Sequence, residues 1–240
     1  MKEKLKERLI PLYEEMLKQV APEECLSAFC IQWGKTFPEK ENEGIIFVGK
    51  ATNGWITDGR NVEKLFNGVD NERIFARMDQ MQWVENYAGA ENDYNTNKSA
   101  FWRTIKRVAQ AIYHVDNWSS NIAWSNLYKM APYEEGNPIE YIKQDQLPYC
   151  KKIFKAELDV LQPKFVVLLT SEWEKDFLYY LNNESTTHSI EKVKWNNDRF
   201  EIKIYCINDI YFIASQHPQG KPEKEHVEVL SKIIQKYGSI

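Results

Sequence analysis

The sequence predicts an α/β protein in which helices cover both faces of a central, mainly parallel sheet of four strands, a three-layer α/β/α arrangement. Short continuous apolar runs at residues 44–49 and 164–170 are typical of strands buried on both faces. Amphipathic stretches of helical period lie between the strands, so strands and helices alternate along the chain. At 240 residues we expect a single domain, with residues 1–43 as an N-terminal helical extension.

The N-terminal half supplies helices of unequal regularity. Residues 2–20 carry apolar side chains at helical spacing. A second helix is expected from Pro22 to about Trp33, because proline is favoured in the first turn of a helix. Residues 61–89 have an irregular helical pattern, and residues 100–113 have a regular apolar stripe.

The remaining segments complete the alternation. Strands are predicted at residues 122–127, 193–195, 200–205 and 210–213, in addition to the two apolar runs. Helices are predicted at residues 145–161, 172–182 and 224–236. Because ligand sites of parallel sheets form at the carboxyl ends of the strands, we expect three loops to converge at one edge. These loops are residues 50–59, 126–138 and 214–221.

Composition limits the classes of function. A net charge of −4 counts against a general nucleic-acid scavenger, which carries a basic field, but it allows a local basic groove. The 13% aromatic content is expected mainly in the core, with a minority of rings available for stacking on bases. The chain has no CxxC pair, no signal-peptide pattern and no apolar run near the roughly 18 residues of a membrane span. We therefore expect a cytoplasmic, thiol-reduced protein without membrane association.

The converging loops carry side chains suited to a nucleobase. Asn126 ends the second strand, and a carboxamide both donates and accepts hydrogen bonds, as the edge of a base requires. His217 follows the last strand, where an imidazole would polarise a ring oxygen or support a leaving anion. Asn53 or Asp58 of the first loop would position water against the sugar carbon. A base flipped into this crevice would meet all of these groups.

Further candidates surround this set. Trp55 or Phe66 would stack on the base, Thr52 and Gly49 would lie beside it, and Lys129, Gln219 and Lys221 would contact nucleic acid. Each type of residue also has a simpler structural interpretation: an asparagine at a strand end usually caps a turn, and Asp-Gly is a common turn pair. Their occurrence together, at successive strand ends, favours a functional site.

Four segments in this order resemble the uracil-DNA glycosylase superfamily, particularly its iron–sulfur branch. They are VGKA at residues 48–51, NLYKMAP at 126–132 with the following Asn137-Pro138, the stretch 150–169, and QHPQ at 216–219. The resemblance implies a base pocket at the strand ends of a parallel sheet, with DNA as partner. It also implies that Asn126 reads the base and that His217 is the catalytic histidine.

The sequence departs from the family pattern in its first and last motifs. The first motif lacks the family's proline, and Lys50 or Ala51 stands in place of a water-positioning acid. Gln219 replaces the serine that follows His-Pro in the family, which removes a phosphate-contacting hydroxyl.

The cysteines also depart from the iron–sulfur pattern. Cys150 occupies a plausible ligand position, but Met130 stands where a cysteine is expected, and Cys25 and Cys30 are spaced too widely for the usual pair. A thioether does not replace a thiolate in holding such a cluster. We therefore expect no metal and no cofactor.

Three hypotheses follow. The first is a uracil-DNA glycosylase-like protein that binds a nucleobase in single- or double-stranded DNA and hydrolyses its N-glycosidic bond. The second keeps the fold without catalysis, and its pocket binds a nucleotide, a nucleic-acid end or a protein partner. The third is an unrelated α/β enzyme of nucleotide metabolism, although the sequence lacks the P-loop, GxGxxG and GxSxG motifs.

Overall fold

The computed structural model describes residues 1–20, 26–54, 62–67, 78–91, 94–134 and 136–238. Its α-helices are α1 (Lys2–Gln19), α2 (Val62–Asn67), α3 (Trp83–Asn86), α4 (Ala100–Tyr113), α5 (Glu140–Leu161), α6 (Lys175–Leu181) and α7 (Glu223–Gly238). Its strands are β1 (Leu26–Ala28), β2 (Gln32–Trp33), β3 (Ile45–Gly49), β4 (Ile122–Asn126), β5 (Met130–Pro132), β6 (Phe165–Leu169), β7 (Glu191–Trp195), β8 (Phe200–Ile207) and β9 (Ile210–Ser215).

The main sheet has the strand order β2-β4-β3-β6-β9-β8-β7. The four central strands, β4, β3, β6 and β9, are mutually parallel. Antiparallel strands extend this parallel centre on both sides, β2 at one edge and β8 with β7 at the other. The predicted fold class, a mainly parallel sheet flanked by helices, is confirmed. The predicted number of four strands is wrong for the whole sheet, which has seven among the described residues, because antiparallel strands join the four parallel ones at both edges. Every residue of β3 and β6 is buried, which explains their continuous apolar sequences.

Helices pack on both faces of this sheet. One face carries α1, α5 and α6, whose buried side chains share a core with Ile46, Val48 and Val166. The other face carries α4 and α7, whose buried side chains pack with Phe47 and Val167. Successive residues of β3 therefore point to opposite cores, as the two-residue period of a strand requires. No helix in the described ranges is long and apolar enough to cross a membrane.

The helix predicted from Pro22 to Trp33 is wrong over its described part. Residues 26–33 instead contain β1, which pairs with β5, and β2, which pairs with β4. The side chains from Ser27 to Ile31 are fully buried, so no exposed face marks a helical or a strand period. Pairing with β4 and β5 decides the conformation of this segment, and no local pattern in the sequence records that pairing.

The other helices and strands lie close to their predicted positions. Helix α4 spans the predicted residues, α5 begins five residues before the predicted start at 145, and the irregular stretch 61–89 contains α2 and α3. Residues 68–77 of that stretch lie outside the described residues.

The sheet places its functional edge at the ends of the parallel strands. Gly49 pairs with Asn126, and Leu169 pairs with Ser215, so all four strands end at the same edge. After β3 the chain runs through α2, which packs on the face of α1, and then through α4 on the opposite face, whereas after β5 it continues to α5 on the face of α1. Ligand sites of parallel sheets form at this edge, where the carboxyl ends of the strands meet their loops.

Candidate functional site

A cleft of about 1050 Å³ opens at the carboxyl ends of β3 and β4. The predicted site residues that line it are Gly49, Thr52, Asn53, Asn126, His217 and Gln219. The carboxamide of Asn126 and the imidazole of His217, which are far apart in the sequence, therefore share one open cavity. This shared cavity is the geometric requirement of any site that uses both groups.

Asn126 brings an unsatisfied hydrogen-bond donor to this cleft. The residue is 1% exposed, and its Nδ2 has no hydrogen-bond partner among the described residues. The hydroxyl of Thr52, also buried and also at the cleft, is unpartnered in the same sense. Leaving such a group unpaired costs about 1–3 kcal/mol, so a ligand that supplies an acceptor would recover that free energy on binding.

The backbone behind Asn126 is held by a buried ion pair. The Nζ of Lys129 lies 2.8 Å from Glu157 of α5, 2.8 Å from the Ser125 hydroxyl and 2.7 Å from the main-chain oxygen of Asn126. Lys129 is fully buried, so the prediction that it contacts nucleic acid is wrong. Because Glu157 is equally buried, the lysine turns inward to neutralise it. The ion pair between Lys129 and Glu157 therefore holds the backbone at the end of β4 in place.

His217 is held in a defined orientation by its main chain and its ring. Its backbone N–H donates to the Ser171 hydroxyl at 2.8 Å, and its Nδ1 accepts from the backbone N–H of Gln219 at 3.3 Å. Burial, assisted by the charges of Lys50 and Lys221, lowers the pKa of His217 to about 4. At neutral pH the ring is therefore uncharged and, with Nδ1 accepting, carries its proton on Nε2.

An aromatic wall faces these polar groups. Phe101, at the start of α4, lies nearly parallel to the His217 ring, with 6.1 Å between centroids and 14° between planes. The aromatic residues that line the cleft are Trp83, Tyr87, Tyr94, Phe101, Trp102 and Trp124. The sequence placed Phe101 in the apolar stripe of a helix, and that pattern does not distinguish a core position from a cleft wall.

Phe66 does not belong to this wall. It is buried on α2, in edge-to-face contact with Tyr13 of α1 at 5.3 Å between centroids. The prediction that Phe66 stacks on a base is therefore wrong, because α2 packs into the core on the α1 face. The other two predicted first-loop residues, Trp55 and Asp58, lie outside the described residues.

Asn53 joins two of the loops at the rim of the cleft. Its side-chain oxygen accepts a hydrogen bond from the backbone N–H of Gly136 at 2.6 Å. This bond links the loop that follows β3 to the loop that follows β5. Asn53 itself is exposed and lines the cleft, so the predicted first-loop carboxamide is at the site.

The cleft is locally basic although the whole chain is acidic. Lys50, Lys98 and Arg103 line it, and no aspartate or glutamate does so among the described residues. The Arg103 side chain also pairs with Glu223 at 2.9 Å, whereas Lys98 is exposed. Lys221 lies beside the cleft, where its ammonium stands over the Phe200 ring at 5.3 Å. Such a field attracts anionic groups such as phosphates.

The positions implied for an iron–sulfur cluster do not fit one. Gln146 of α5 fills this region, because its side-chain oxygen accepts from the backbone N–H groups of Lys129 and Met130, and its amide donates to the Met130 carbonyl. The Cys150 thiol donates to the same Gln146 oxygen at 3.3 Å, and burial raises its pKa to about 12. A protonated thiol beside a thioether is a poor ligand set for iron. The described residues contain no group of three metal-ligating side chains.

Comparison with known proteins gives similarity to solved structures. No protein-family model matches the sequence, and no curated protein matches it. Among solved structures, the chain is similar to SMUG2 of Pedobacter heparinus, with a TM-score of 0.49 and 9% sequence identity. The similarity covers 97% of this chain and 99% of that one. At this identity and TM-score it supports no conclusion about function.

Proposed function

We propose that this protein is a uracil-DNA glycosylase-like enzyme, which binds a nucleobase of DNA in the cleft and hydrolyses its N-glycosidic bond. The observation that carries the proposal is the Asn126 amide, which has no hydrogen-bond partner among the described residues and lies at the cleft that His217 also lines. The edge of uracil presents a carbonyl acceptor next to an N–H donor. A carboxamide matches this pair, because it offers one donor and one acceptor side by side.

His217 supplies the stabilisation that the leaving base requires. When the bond between C1′ and the base breaks, its electron pair moves onto the base and negative charge develops on a carbonyl oxygen of the base. A neutral imidazole that carries its proton on Nε2 donates a hydrogen bond to that oxygen, and the ring does not have to be protonated first. The fixed orientation of His217 on Ser171 and Gln219 means that little reorganisation is needed as the charge develops.

Water completes the reaction at the sugar. The oxocarbenium-like carbon that remains accepts the oxygen of a water molecule, and the surplus proton passes to solvent. Asn53, exposed at the rim of the cleft, would orient this water through its carboxamide. Catalysis would therefore depend more on the stabilised leaving group than on an activated nucleophile.

The basic and aromatic walls suit the rest of the nucleic acid. Lys98 and Arg103 would contact phosphates, and the rings of the aromatic wall would stack on bases. Both contacts are independent of sequence and would place the strand so that one base reaches Asn126.

A second candidate function is base binding without hydrolysis. It is favoured by the absence of a carboxylate among the described residues that line the cleft. On that alternative the cleft would hold a nucleotide or a nucleic-acid end, and Asn126 and His217 would serve recognition alone.

Release of uracil separates the two functions. The protein is incubated with a uracil-containing oligonucleotide, and the abasic product is revealed by strand cleavage in alkali. We expect cleavage by the wild type, none above background for Asn126→Ala, and a strongly reduced rate for His217→Ala. Lys192→Ala, on the edge strand β7 outside the cleft, is the control and should cleave at the wild-type rate. Binding without any cleavage would favour the second candidate and contradict the proposed hydrolysis.

A further inference from the structure

Lys50 lines the proposed site and forms no ion pair with a carboxylate of the described residues. It follows Gly49 at the end of β3 and lines the same cleft as Asn126 and His217. No carboxylate of the described part of the chain pairs with its ammonium group. An unpaired lysine at a cleft either binds an anion or acts as a nucleophile.

The surroundings of Lys50 combine an aromatic ring with neighbouring positive charges. Its Nζ stands 4.9 Å from the centre of the Trp173 indole, and the Nζ of Lys143 stands 4.7 Å from the same ring. Lys143 forms an ion pair with Glu140 at 2.5 Å, but no carboxylate of the described residues forms an ion pair with Lys50. Burial lowers the pKa of Lys50, and the charges of Lys221 and Lys143 lower it further. A lysine beside other cations releases its proton more readily and becomes a better nucleophile.

Lys50 shares the cleft in which the sugar of a bound nucleotide would lie. Lys50 and His217 line the same cleft, and the positive charge of Lys50 helps to lower the pKa of His217. After the base has left, that sugar is an abasic deoxyribose, whose ring-opened form exposes an aldehyde at C1′.

We propose that Lys50 captures this aldehyde as a covalent imine. The inference rests on the proposed function, since the cleft must hold the sugar of a DNA strand. The substrate class is the ring-opened abasic deoxyribose. The product is a protein–DNA intermediate that joins Nζ to C1′.

The chemistry needs no oxidant or reductant. The lone pair of the neutral Nζ adds to C1′, the carbonyl electron pair moves onto oxygen, and a proton from nitrogen passes to that oxygen. The resulting hydroxyl takes a second proton from solvent and leaves as water, while the nitrogen lone pair forms the C=N bond. The remaining N–H proton then returns to solvent, which leaves the neutral imine. Addition of water reverses these steps and restores both the amine and the aldehyde.

Trapping with borohydride tests the inference. The protein is mixed with an oligonucleotide that already contains an abasic site, so base removal is not required. Sodium borohydride reduces the imine to a stable amine, which appears as a protein–DNA adduct on a denaturing gel. We expect an adduct for the wild type, with the modified peptide mapping to Lys50.

Two variants make the test specific. Lys50→Arg keeps the positive charge but lacks the primary amine, so we expect the adduct to be lost while binding of the abasic oligonucleotide is retained. Lys192→Arg, which makes the same exchange on β7 outside the cleft, should form the wild-type amount of adduct. No wild-type adduct, or an undiminished adduct with Lys50→Arg, would overturn the inference.

The outcome is distinct from that of the uracil-release experiment. Uracil release without an adduct would leave the proposed function standing and overturn the role of Lys50. An adduct at Lys50 without uracil release would support the role of Lys50 and contradict the proposed hydrolysis.

Discussion

The side-chain oxygen of Asn126 occupies the space that a Cβ at Gly49 would need. A Cβ built on Gly49 would come within 3.0 Å of that oxygen, a separation that real Cβ atoms essentially never show. The two residues are paired at the ends of β3 and β4, so the backbone of one strand and the side chain of the next form one wall of the cleft. The carboxamide of Asn126 can occupy this position only because Gly49 has no side chain.

Gly49→Ala should therefore impair the site through Asn126. We expect the new methyl group to displace the carboxamide and weaken binding of a uracil-containing oligonucleotide, with a penalty of about 1–3 kcal/mol from overpacking. Fluorescence anisotropy measures the affinity. In an Asn126→Ala background the same exchange should cost little, because the group it displaces is gone. An equal loss in both backgrounds would show that the contact between the two residues is irrelevant.

Lys129 should matter for stability, and it should make no direct contact with DNA. Lys129→Met leaves Glu157 buried without its partner, and we expect a loss of about 3–5 kcal/mol in the free energy of unfolding. Urea denaturation measures this loss. The double variant Lys129→Met with Glu157→Leu should recover much of it, because no buried charge then remains. A single variant as stable as the wild type would contradict the assignment of this ion pair.

Lys98 should contribute to the salt dependence of DNA binding. The exposed ammonium lines the cleft, so its replacement in Lys98→Ala should weaken binding at low salt. We expect the slope of log K against log salt to fall by about one. Titrations at several salt concentrations measure the slope, with Lys192→Ala as the surface control. An unchanged slope would mean that Lys98 does not meet a phosphate.

The rate of base release should be insensitive to pH around neutrality. The pKa of His217 is about 4, so the imidazole is uncharged at neutral pH and is protonated only as the pH falls toward that value. Because the active form is the neutral ring, we expect a flat single-turnover rate near neutral pH and a loss of rate on acidification toward about 4. A rate that fell already near pH 6.5, the ordinary histidine pKa, would contradict the assigned environment.

The strand ends of the site could be predicted because continuous apolar runs identify buried strands. Once β3, β4 and β9 are recognised, the parallel arrangement brings Gly49, Asn126 and the loop of His217 to one edge of the sheet. This inference needs only the order of the strands. It succeeded for the residues that lie at or next to a strand end.

Lys129 and Phe66 could not be placed in the same way. Lys129 lies in a polar loop, and its direction depends on Glu157, which α5 delivers from a distant part of the sequence. Phe66 belongs to a short helix whose orientation is set by its contact with Tyr13 of α1. In both cases the deciding partner is far away along the chain, so no local pattern reveals it.

The central claim is that one base of a DNA strand lies between Asn126 and His217. A crystal structure with an oligonucleotide that contains 2′-fluorinated deoxyuridine tests this most directly, because the electron-withdrawing fluorine slows formation of the oxocarbenium-like sugar and preserves the substrate. We expect the uracil edge within hydrogen-bond distance of the Asn126 carboxamide and a carbonyl oxygen of the uracil facing Nε2 of His217. A strand bound elsewhere, or a cleft that contains no base when the oligonucleotide is bound, would contradict the claim.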